Sequence, residues 1–279
     1  MNKTVPDIRD GFTPIPERRS NMERLRTEQP KGLSHSGIRK WAMIFAALGI
    51  FGRSVLQMRY LGLGNMTSDQ LLQAMSGGSD VMTVVTISLV MQFIETCAVP
   101  LFCFLLAEGF QYTASAEKYL GRIAALAVIS EIPFNVAMSG KIFDFSSRNP
   151  VFGLLLAILV LYLFKHFARR KVSGWFVKAG IVLAALIWCA MLRIEHGIPS
   201  VVLTIAFWAC RRKPMIRNLV GGGAAMLCCL SSIFYAVSPM SIMVLHFHNG
   251  EKGEENKLIS YLLYPVMLIA FAAVGAIVF

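Results

Sequence analysis

Long apolar runs separated by short polar stretches dominate the chain after residue 40. The run "VMTVVTISLVMQFIETCAVPLFCFLLA", from Val81 to Ala107, contains one acidic residue, and the last run of the chain carries no charge after Lys257. A helix needs about 20 apolar residues to cross a bilayer, whereas a transmembrane β-barrel is built from alternating segments of about ten residues. The pattern predicts an all-α fold, a polytopic transmembrane helical bundle in a lipid bilayer.

We predict about eight spans, with both termini cytoplasmic. The spans are placed at residues 40–59, 81–107, 119–138, 150–166, 176–193, 197–210, 217–237 and 258–278. The apolar piece Pro239 to Phe247 is too short to cross a bilayer, so we expect a re-entrant or surface element there. Residues 1–39 combine prolines with many charges, which predicts a disordered basic tail ahead of the transmembrane domain, 40–279.

The distribution of charge supports this arrangement. The chain has 27 lysines and arginines against 16 acidic residues, a net charge of +11, but only 15% of its residues are charged. Cytoplasmic segments of membrane proteins carry an excess of Lys and Arg. Most of the basic residues fall in the tail and in loops that the eight-span arrangement places on the inner side. This asymmetry accounts for the basic charge without a nucleic-acid partner.

Several common functional motifs are absent from the sequence. The six cysteines lie in apolar segments and form no C-x-x-C pair, so we predict buried thiols and no disulfide framework. The chain contains no G-x-S-x-G, H-E-x-x-H or Walker sequence. The pair His246 and His248, with Glu251, lacks the ligand spacing of zinc sites, and we expect no metal there.

Charged residues inside the predicted spans are costly to bury and usually face a bundle interior. Arg53 lies deep in the first span and Glu95 in the middle of the second, five residues before Pro100, where we expect a kink. Glu108 lies at the inner face. A structural ion pair and a role in substrate binding both fit these residues.

Four polar clusters fall at the predicted outer face. They are Glu131 in "SEIPFN", Arg148 and Asn149 in "SSRNPVFG", Arg193, Glu195 and His196 in "RIEHGIP", and His246, His248, Asn249 and Glu251 in "HFHNGEKGEENK". Convergent polar groups at the mouth of a bundle form a ligand pocket, whereas isolated ones serve as helix caps. We predict that Glu131, Asn149 and Glu251 approach one another.

The motifs of the chain together resemble the TraX family. The matching stretches are "PLFCFLLAEGFQYTAS", "KYLGRIAALAVISEIPFNVAMSG", "NPVFGLLLAILVLYLF", "HNGEKG" and "YLLYPVML". The resemblance implies a multi-pass protein of the bacterial cytoplasmic (inner) membrane that transfers an acyl group from acetyl-CoA or another acyl-CoA. The acceptor would be a pilin-like peptide or an envelope glycan.

The chain departs from the family pattern at several positions. Ile50 and Phe51 stand where typical members carry an Asp-His pair, and Met267 replaces a histidine after Tyr-Pro. His196 and His248 instead occupy positions that are aromatic in the family. The altered catalytic set would be Glu131, Asn149, His196, His248 and Glu251. The substrate-binding set would be Arg53, Glu95, Glu108, Arg148 and Tyr264. The alternative is a non-catalytic membrane binding or transport protein that has lost acyl transfer.

Overall fold

The chain forms an all-α bundle, which confirms the predicted fold class. The computed structural model describes residues 32–62, 79–169, 174–251, 253 and 257–278. Over these ranges the backbone is helical apart from loops and two isolated bridges, Leu33 with His248 and Arg148 with Ile194. The predicted tail up to residue 31 and most of the polar stretch 62–80 lie outside the described residues.

The helices are labelled in chain order. They are α1 (His35–Phe51, continued by the π-helix Gly52–Tyr60), α2 (Ser79–Glu95), α3 (Ala98–Tyr112), α4 (Ala116–Ser139), α5 (Pro150–Arg169), α6 (Trp175–Met191), α7 (Gly197–Ala209), α8 (Pro214–Leu227, followed by the 3₁₀ turn Cys228–Leu230), the 3₁₀-helix Ile233–Met240, α9 (Ser241–His246) and α10 (Lys257–Val278). Helix α1 starts before the predicted boundary at residue 40, because Ser34 caps its first turn by accepting a hydrogen bond from Gly37 N.

Within the part of the chain that the structure describes, five helical segments are long and apolar enough to cross a membrane: His35–Tyr60, Asp80–Tyr112, Ala116–Ser139, Pro150–Ala168 and Ile259–Val278. Four shorter apolar segments are packed among them. The count of eight spans stays a prediction. The expected kink is present, because α2 ends at Glu95 and α3 begins at Ala98, ahead of Pro100. Proline at that position cannot donate a backbone hydrogen bond to the preceding turn.

Four of the six cysteines belong to the packed interior of the bundle, and Cys210 and Cys229 are half-buried. Cys97, Cys103, Cys189 and Cys228 are buried. One region of the hydrophobic core surrounds Phe104 of α3 and Phe207 of α7, whose ring centroids lie 5.8 Å apart. The aromatic pair fixes α3 against α7 and thereby sets the positions of the side chains at either end of these helices.

The chain between α7 and α10 forms a helical hairpin that the sequence did not predict. At its start, Arg217 of α8 donates a hydrogen bond to Glu108. At its turn, Tyr235 contacts His196, and His248, after α9, again lies beside Glu108. The segment Ile233–His246 therefore carries the chain back along the bundle. The predicted surface or re-entrant element, Pro239 to Phe247, belongs to the second half of this return.

This return changes the position of the loop that follows α9. The loop was predicted at the outer face, away from Glu108, but His248 and Glu108 are neighbours. Helix α10 consequently begins at the end of the bundle where α1 begins, and Gly275 near its other end packs against Arg59 of α1. The structure does not confirm that both termini lie on one side.

The relative positions of the loops can be checked with single cysteines. His246 and Lys118 are exposed at one end of the bundle and Phe143 is exposed at the other. In a background with Cys210 and Cys229 replaced by serine, His246→Cys and Lys118→Cys should react alike with an impermeant maleimide in sealed vesicles. Phe143→Cys should show the opposite accessibility. Equal accessibility of positions 246 and 143 would contradict the described path of the chain.

Candidate functional site

Buried and half-buried polar side chains meet in two groups at opposite ends of the bundle. The arginine cluster consists of Arg53, Glu95, Glu195, His196 and Tyr235. The histidine cluster consists of His35, Glu108, Arg217 and His248. Each group lies close to an end of α3, because Glu95 precedes the helix and Glu108 is in its last turns.

Arg53 is the centre of the arginine cluster. Its Nη2 donates to Glu95 Oε1 at 2.7 Å, and its Nη1 donates to an oxygen of Glu195. The side chain of Arg53 is only 20% exposed and that of Glu95 only 10%. Glu95 fits beside α1 because residue 49 is a glycine. A Cβ on Gly49 would lie 2.0 Å from Glu95 Oε2.

Glu195 and His196 are presented by a loop with an unusual backbone. Arg193 and His196 both have positive φ, 49° and 55°, which is uncommon for residues other than glycine. Such conformations cost about 1–3 kcal/mol each and concentrate at functional sites. The loop is held by strand-like pairing with the segment before α5, since Glu195 N donates to Arg148 O at 3.0 Å.

His196 lies next to Tyr235, with its side chain 17% exposed. A hydrogen bond of 2.6 Å joins His196 Nδ1 to the Tyr235 hydroxyl. His196 Nε2 lies 4.0 Å from Glu195 Oε1. Burial lowers the pKa of His196 to about 3, and the nearby Arg53 cation acts in the same direction. The imidazole is therefore neutral at the pH of a cell.

Glu131, Arg148 and Asn149 support this loop. Arg148 Nη1 donates to Glu131 Oε1 at 2.7 Å, and Asn149 Nδ2 donates to Glu131 Oε2 at 2.7 Å. Asn149 also caps α5, because its Oδ1 accepts from Val151 N at 2.9 Å. The side chain of Asn149 is fully buried. Through these contacts, Glu131 and Asn149 position the segment that pairs with the loop of Glu195.

Two cavities meet at His196. A polar cavity of about 420 Å³ is lined by Arg53, Glu95, Glu195, His196 and Tyr235, among others. A predominantly apolar cavity of about 160 Å³ extends from His196 past Tyr264 to Arg39, in the second turn of α1. The apolar cavity therefore leads from His196 of the arginine cluster towards the end of the bundle at which α1 begins.

The histidine cluster lies at that opposite end. Glu108 Oε1 accepts from Arg217 Nη1 at 3.0 Å, its Oε2 contacts His35 Nε2, and His248 Nε2 lies 3.5 Å from the same Oε2. Phe104 forms the floor of the group. Its ring lies 4.5 Å from the Arg217 guanidinium and 5.2 Å from the His248 ring.

The predicted site residues therefore separate into two places. The arginine cluster and its support contain Arg53, Glu95, Glu131, Arg148, Asn149 and His196, and Tyr264 lines the adjoining apolar cavity. Glu108 and His248 belong to the other end. Glu251 also lies there, and its backbone carbonyl accepts from His35 Nδ1 at 2.9 Å. The predicted approach of Glu251 to Glu131 and Asn149 was wrong, because α9 returns the chain to the Glu108 end.

Four residues of the two clusters were missed from the sequence. His35 was assigned to the tail, and Tyr235 was an ordinary aromatic in an apolar run. Glu195 was noted beside His196 but received no role. Of these four residues, Arg217 was the easiest to identify from the sequence, because it is a charged residue at the start of a predicted span.

The comparisons with known proteins agree with the membrane bundle. The family model described as "TraX protein" matches residues 54–275. The "Probable fimbrial assembly protein FimC, serogroup H1" of Dichelobacter nodosus is 27% identical over 199 residues, which is 63% of this chain and 79% of the relative. No solved structure matches the chain.

The close contact between α1 and Glu95 gives a test of the arginine cluster. Gly49→Ala places a methyl group 2.0 Å from Glu95 Oε2 and 2.3 Å from Glu95 Cβ. Overpacking of this kind costs about 1–3 kcal/mol, so the unfolding temperature in detergent should fall. Gly180→Ala, in α6 with open space around its Cβ, is the matched control and should be neutral or stabilising. Equal behaviour of the two variants would contradict the described packing.

Proposed function

The chain belongs to the TraX family, and we propose that it is a membrane acyltransferase that moves an acyl group from an acyl-CoA to an amine or hydroxyl of a pilin-like acceptor. One observation carries the proposal. Among the described residues, Arg53 Nε, Glu195 Oε2 and His196 Nε2 are buried without a hydrogen-bond partner, and all three side chains line the polar cavity. Unpartnered buried polar atoms are costly, and they are expected where a ligand completes the hydrogen bonding.

These atoms match the needs of acyl transfer. The reaction requires a base for the proton of the nucleophile and donors for the oxyanion that forms on the thioester carbonyl. Glu195 Oε2 is the base. With the Tyr235 hydroxyl donating to Nδ1, His196 carries its proton on Nε2 and donates it to the oxyanion as a neutral imidazole. The Nε–H group of Arg53 is the second donor.

The steps balance without a further reactant. The acceptor nitrogen or oxygen attacks the thioester carbonyl and passes its proton to Glu195. The tetrahedral intermediate collapses, the carbon–sulfur bond breaks, and the thiolate of coenzyme A takes up the proton. The products are the acylated acceptor and the free thiol.

The two cavities provide separate approaches for the two substrates. The apolar cavity reaches from Arg39 to His196 and has room for a short acyl group beside Tyr264. Arg39 and Lys40, in the second turn of α1, offer positive charge to the phosphates of an acyl-CoA. The acceptor enters from the polar cavity at the other end. Acyl-CoA is made in the cytoplasm, so the proposal implies a protein of the bacterial inner membrane with the Arg39 end inside.

A pilin or fimbrial subunit is the favoured acceptor. The relative from D. nodosus is named as a fimbrial assembly protein, which favours the exposed amine of a pilin or fimbrial subunit. A hydroxyl of an envelope glycan is the second acceptor class.

The alternative function is binding or transport without chemistry. It shares the polar cavity but needs no proton acceptor. Acyl-CoA consumption by the purified protein separates the two functions.

Replacing the base tests the proposed mechanism. Glu195→Gln should lower transfer from radiolabelled acetyl-CoA to a fimbrial-subunit peptide by about 10²–10⁴-fold. Glu117→Gln, an exposed carboxylate on α4, is the control and should retain wild-type transfer. Full activity of Glu195→Gln would exclude it as the base. Tight acetyl-CoA binding with no turnover by any of the proteins would favour the alternative function.

Two variants of His196 test whether its side chain donates a hydrogen bond to the oxyanion or accepts a proton as a base. His196→Ala removes the oxyanion donor and should lower the rate constant kcat by about 10²–10³-fold. His196→Gln keeps an N–H donor and should recover most of that loss. Equal losses in both variants would contradict the donor role.

The pH dependence gives a further check. Because the pKa of His196 is lowered to about 3, the imidazole stays neutral when the pH falls through about 6.5, the ordinary histidine pKa. The ratio of wild-type to His196→Gln activity should therefore be constant between about pH 5.5 and 7.5. A ratio that falls with decreasing pH around 6.5 would show that His196 titrates normally and acts as a base.

A further inference from the structure

The histidine cluster has the arrangement of a metal site. His35, His248 and Glu108 each offer one ligand atom, and these atoms all lie within 4.8 Å of one another. The Nε2 atoms of both histidines face Glu108 Oε2. The three residues come from distant parts of the chain: the start of α1, the last turns of α3 and the loop after α9. Their convergence requires the return of the chain through Ile233–His246.

The outer nitrogens of both imidazoles are bound to backbone carbonyls. His35 Nδ1 lies 2.9 Å from Glu251 O, and His248 Nδ1 lies 3.1 Å from Leu33 O. A carbonyl only accepts, so each Nδ1 carries a hydrogen and each Nε2 faces Glu108. An ion bound there would displace the proton from Nε2 and take its lone pair. Histidines that bind metals are held in this way, with the remote N–H donating to a carbonyl or a carboxylate.

Glu108 is oriented by a separate contact. Arg217 Nη1 holds Oε1 at 3.0 Å, which leaves Oε2 facing the two histidines. The side chains of Glu108, Arg217 and His248 are 13%, 7% and 5% exposed. The Phe104 ring below them excludes water from one side.

The loop that carries His248 is shaped to reach this position. Gly250 and Gly253 have φ of +79° and +69°, conformations that glycine adopts without strain. A Cβ on Gly253 would lie 2.3 Å from Ser36 Oγ, so the loop packs directly on the first turn of α1. The hydrogen bonds from Leu33 N to Phe247 O and from Asn249 N to Leu33 O fix it there.

We propose that His35, Glu108 and His248 bind a divalent transition-metal ion of the zinc class, with Arg217 positioning the carboxylate. Two imidazoles and one carboxylate are a known ligand set for Zn²⁺, with a fourth position open to water or substrate. Ligand atoms of a tetrahedral zinc site lie roughly 3.3 Å apart, close to the 3.5 Å between His248 Nε2 and Glu108 Oε2. The site is distinct from the arginine cluster and does not depend on the proposed acyl transfer.

This site replaces the metal arrangement considered from the sequence. His246 was the nearer partner of His248 along the chain, but it is exposed after α9. The actual partners are distant in sequence, so no ligand spacing could reveal them. The ion would tie the loop after α9 to the start of α1.

Metal binding can be measured without an activity assay. The full chain, purified in detergent with an affinity tag that lacks histidines, is stripped with a chelator and titrated with Zn²⁺ and Co²⁺. We expect about one ion per chain by elemental analysis and the intense visible absorption of tetrahedral Co²⁺. Absence of uptake of both ions by the wild-type chain would overturn the proposal.

The variants identify the ligands. Glu108→Gln and His248→Gln should each weaken Co²⁺ binding by at least about 10–100-fold, while His246→Gln should leave affinity and spectrum unchanged. Zn²⁺ should raise the unfolding temperature of the wild type and of His246→Gln but not of His248→Gln. A cooperative unfolding transition in each protein shows that it is folded. Retention of the Co²⁺ spectrum by folded His248→Gln, or an equal loss in His246→Gln, would overturn the assignment.

Discussion

The burial of the Arg53 guanidinium between two carboxylates is the constraint on which the bundle depends. An arginine inside an apolar bundle is tolerated when it is paired, and removing one partner of a buried pair costs about 3–5 kcal/mol. Arg53 belongs to the π-helical continuation of α1, a rare geometry that is frequent at functional sites. Its partners come from α2 and from the loop before α7. One charge therefore joins three parts of the chain.

The second partner explains the unusual loop. Glu195 reaches Arg53 because Arg193 and His196 adopt left-handed backbone conformations and because the segment around Arg148 pairs with the loop. The same conformation places His196 beside Tyr235. The ion pair with Arg53 and the proposed chemistry thus use the same residues. Glu195 Oε1 pairs with Arg53, and Glu195 Oε2 is the proposed base.

The sequence was sufficient for the fold class and for part of the site. Apolar runs predicted the helical bundle, and Pro100 predicted the break after α2. Charges inside predicted spans singled out Arg53 and Glu95, and a polar motif singled out His196 as candidates. The position of His248 could not be predicted, because the run 233–247 contains 3₁₀-helix and Pro239, and its ability to return along the bundle depends on packing against α3 and α8. Because of this reversal, the loop after α9 and the start of α10 lie at the Glu108 end of the bundle and not at the end that was predicted. The partners of Arg53 are separated from it by 42 and 142 positions, distances over which helical periodicity carries no information.

The histidine cluster and the arginine cluster lie at opposite ends of the bundle. The apolar cavity extends from His196 of the arginine cluster to Arg39 in the second turn of α1. The most direct test of this account is an experimental structure of the protein with a non-hydrolysable acetyl-CoA analogue. We expect the nucleotide at the Arg39 end and the acyl carbonyl oxygen within hydrogen-bonding distance of His196 Nε2. An analogue bound with its carbonyl away from both His196 and Glu195 would contradict acyl transfer at the arginine cluster.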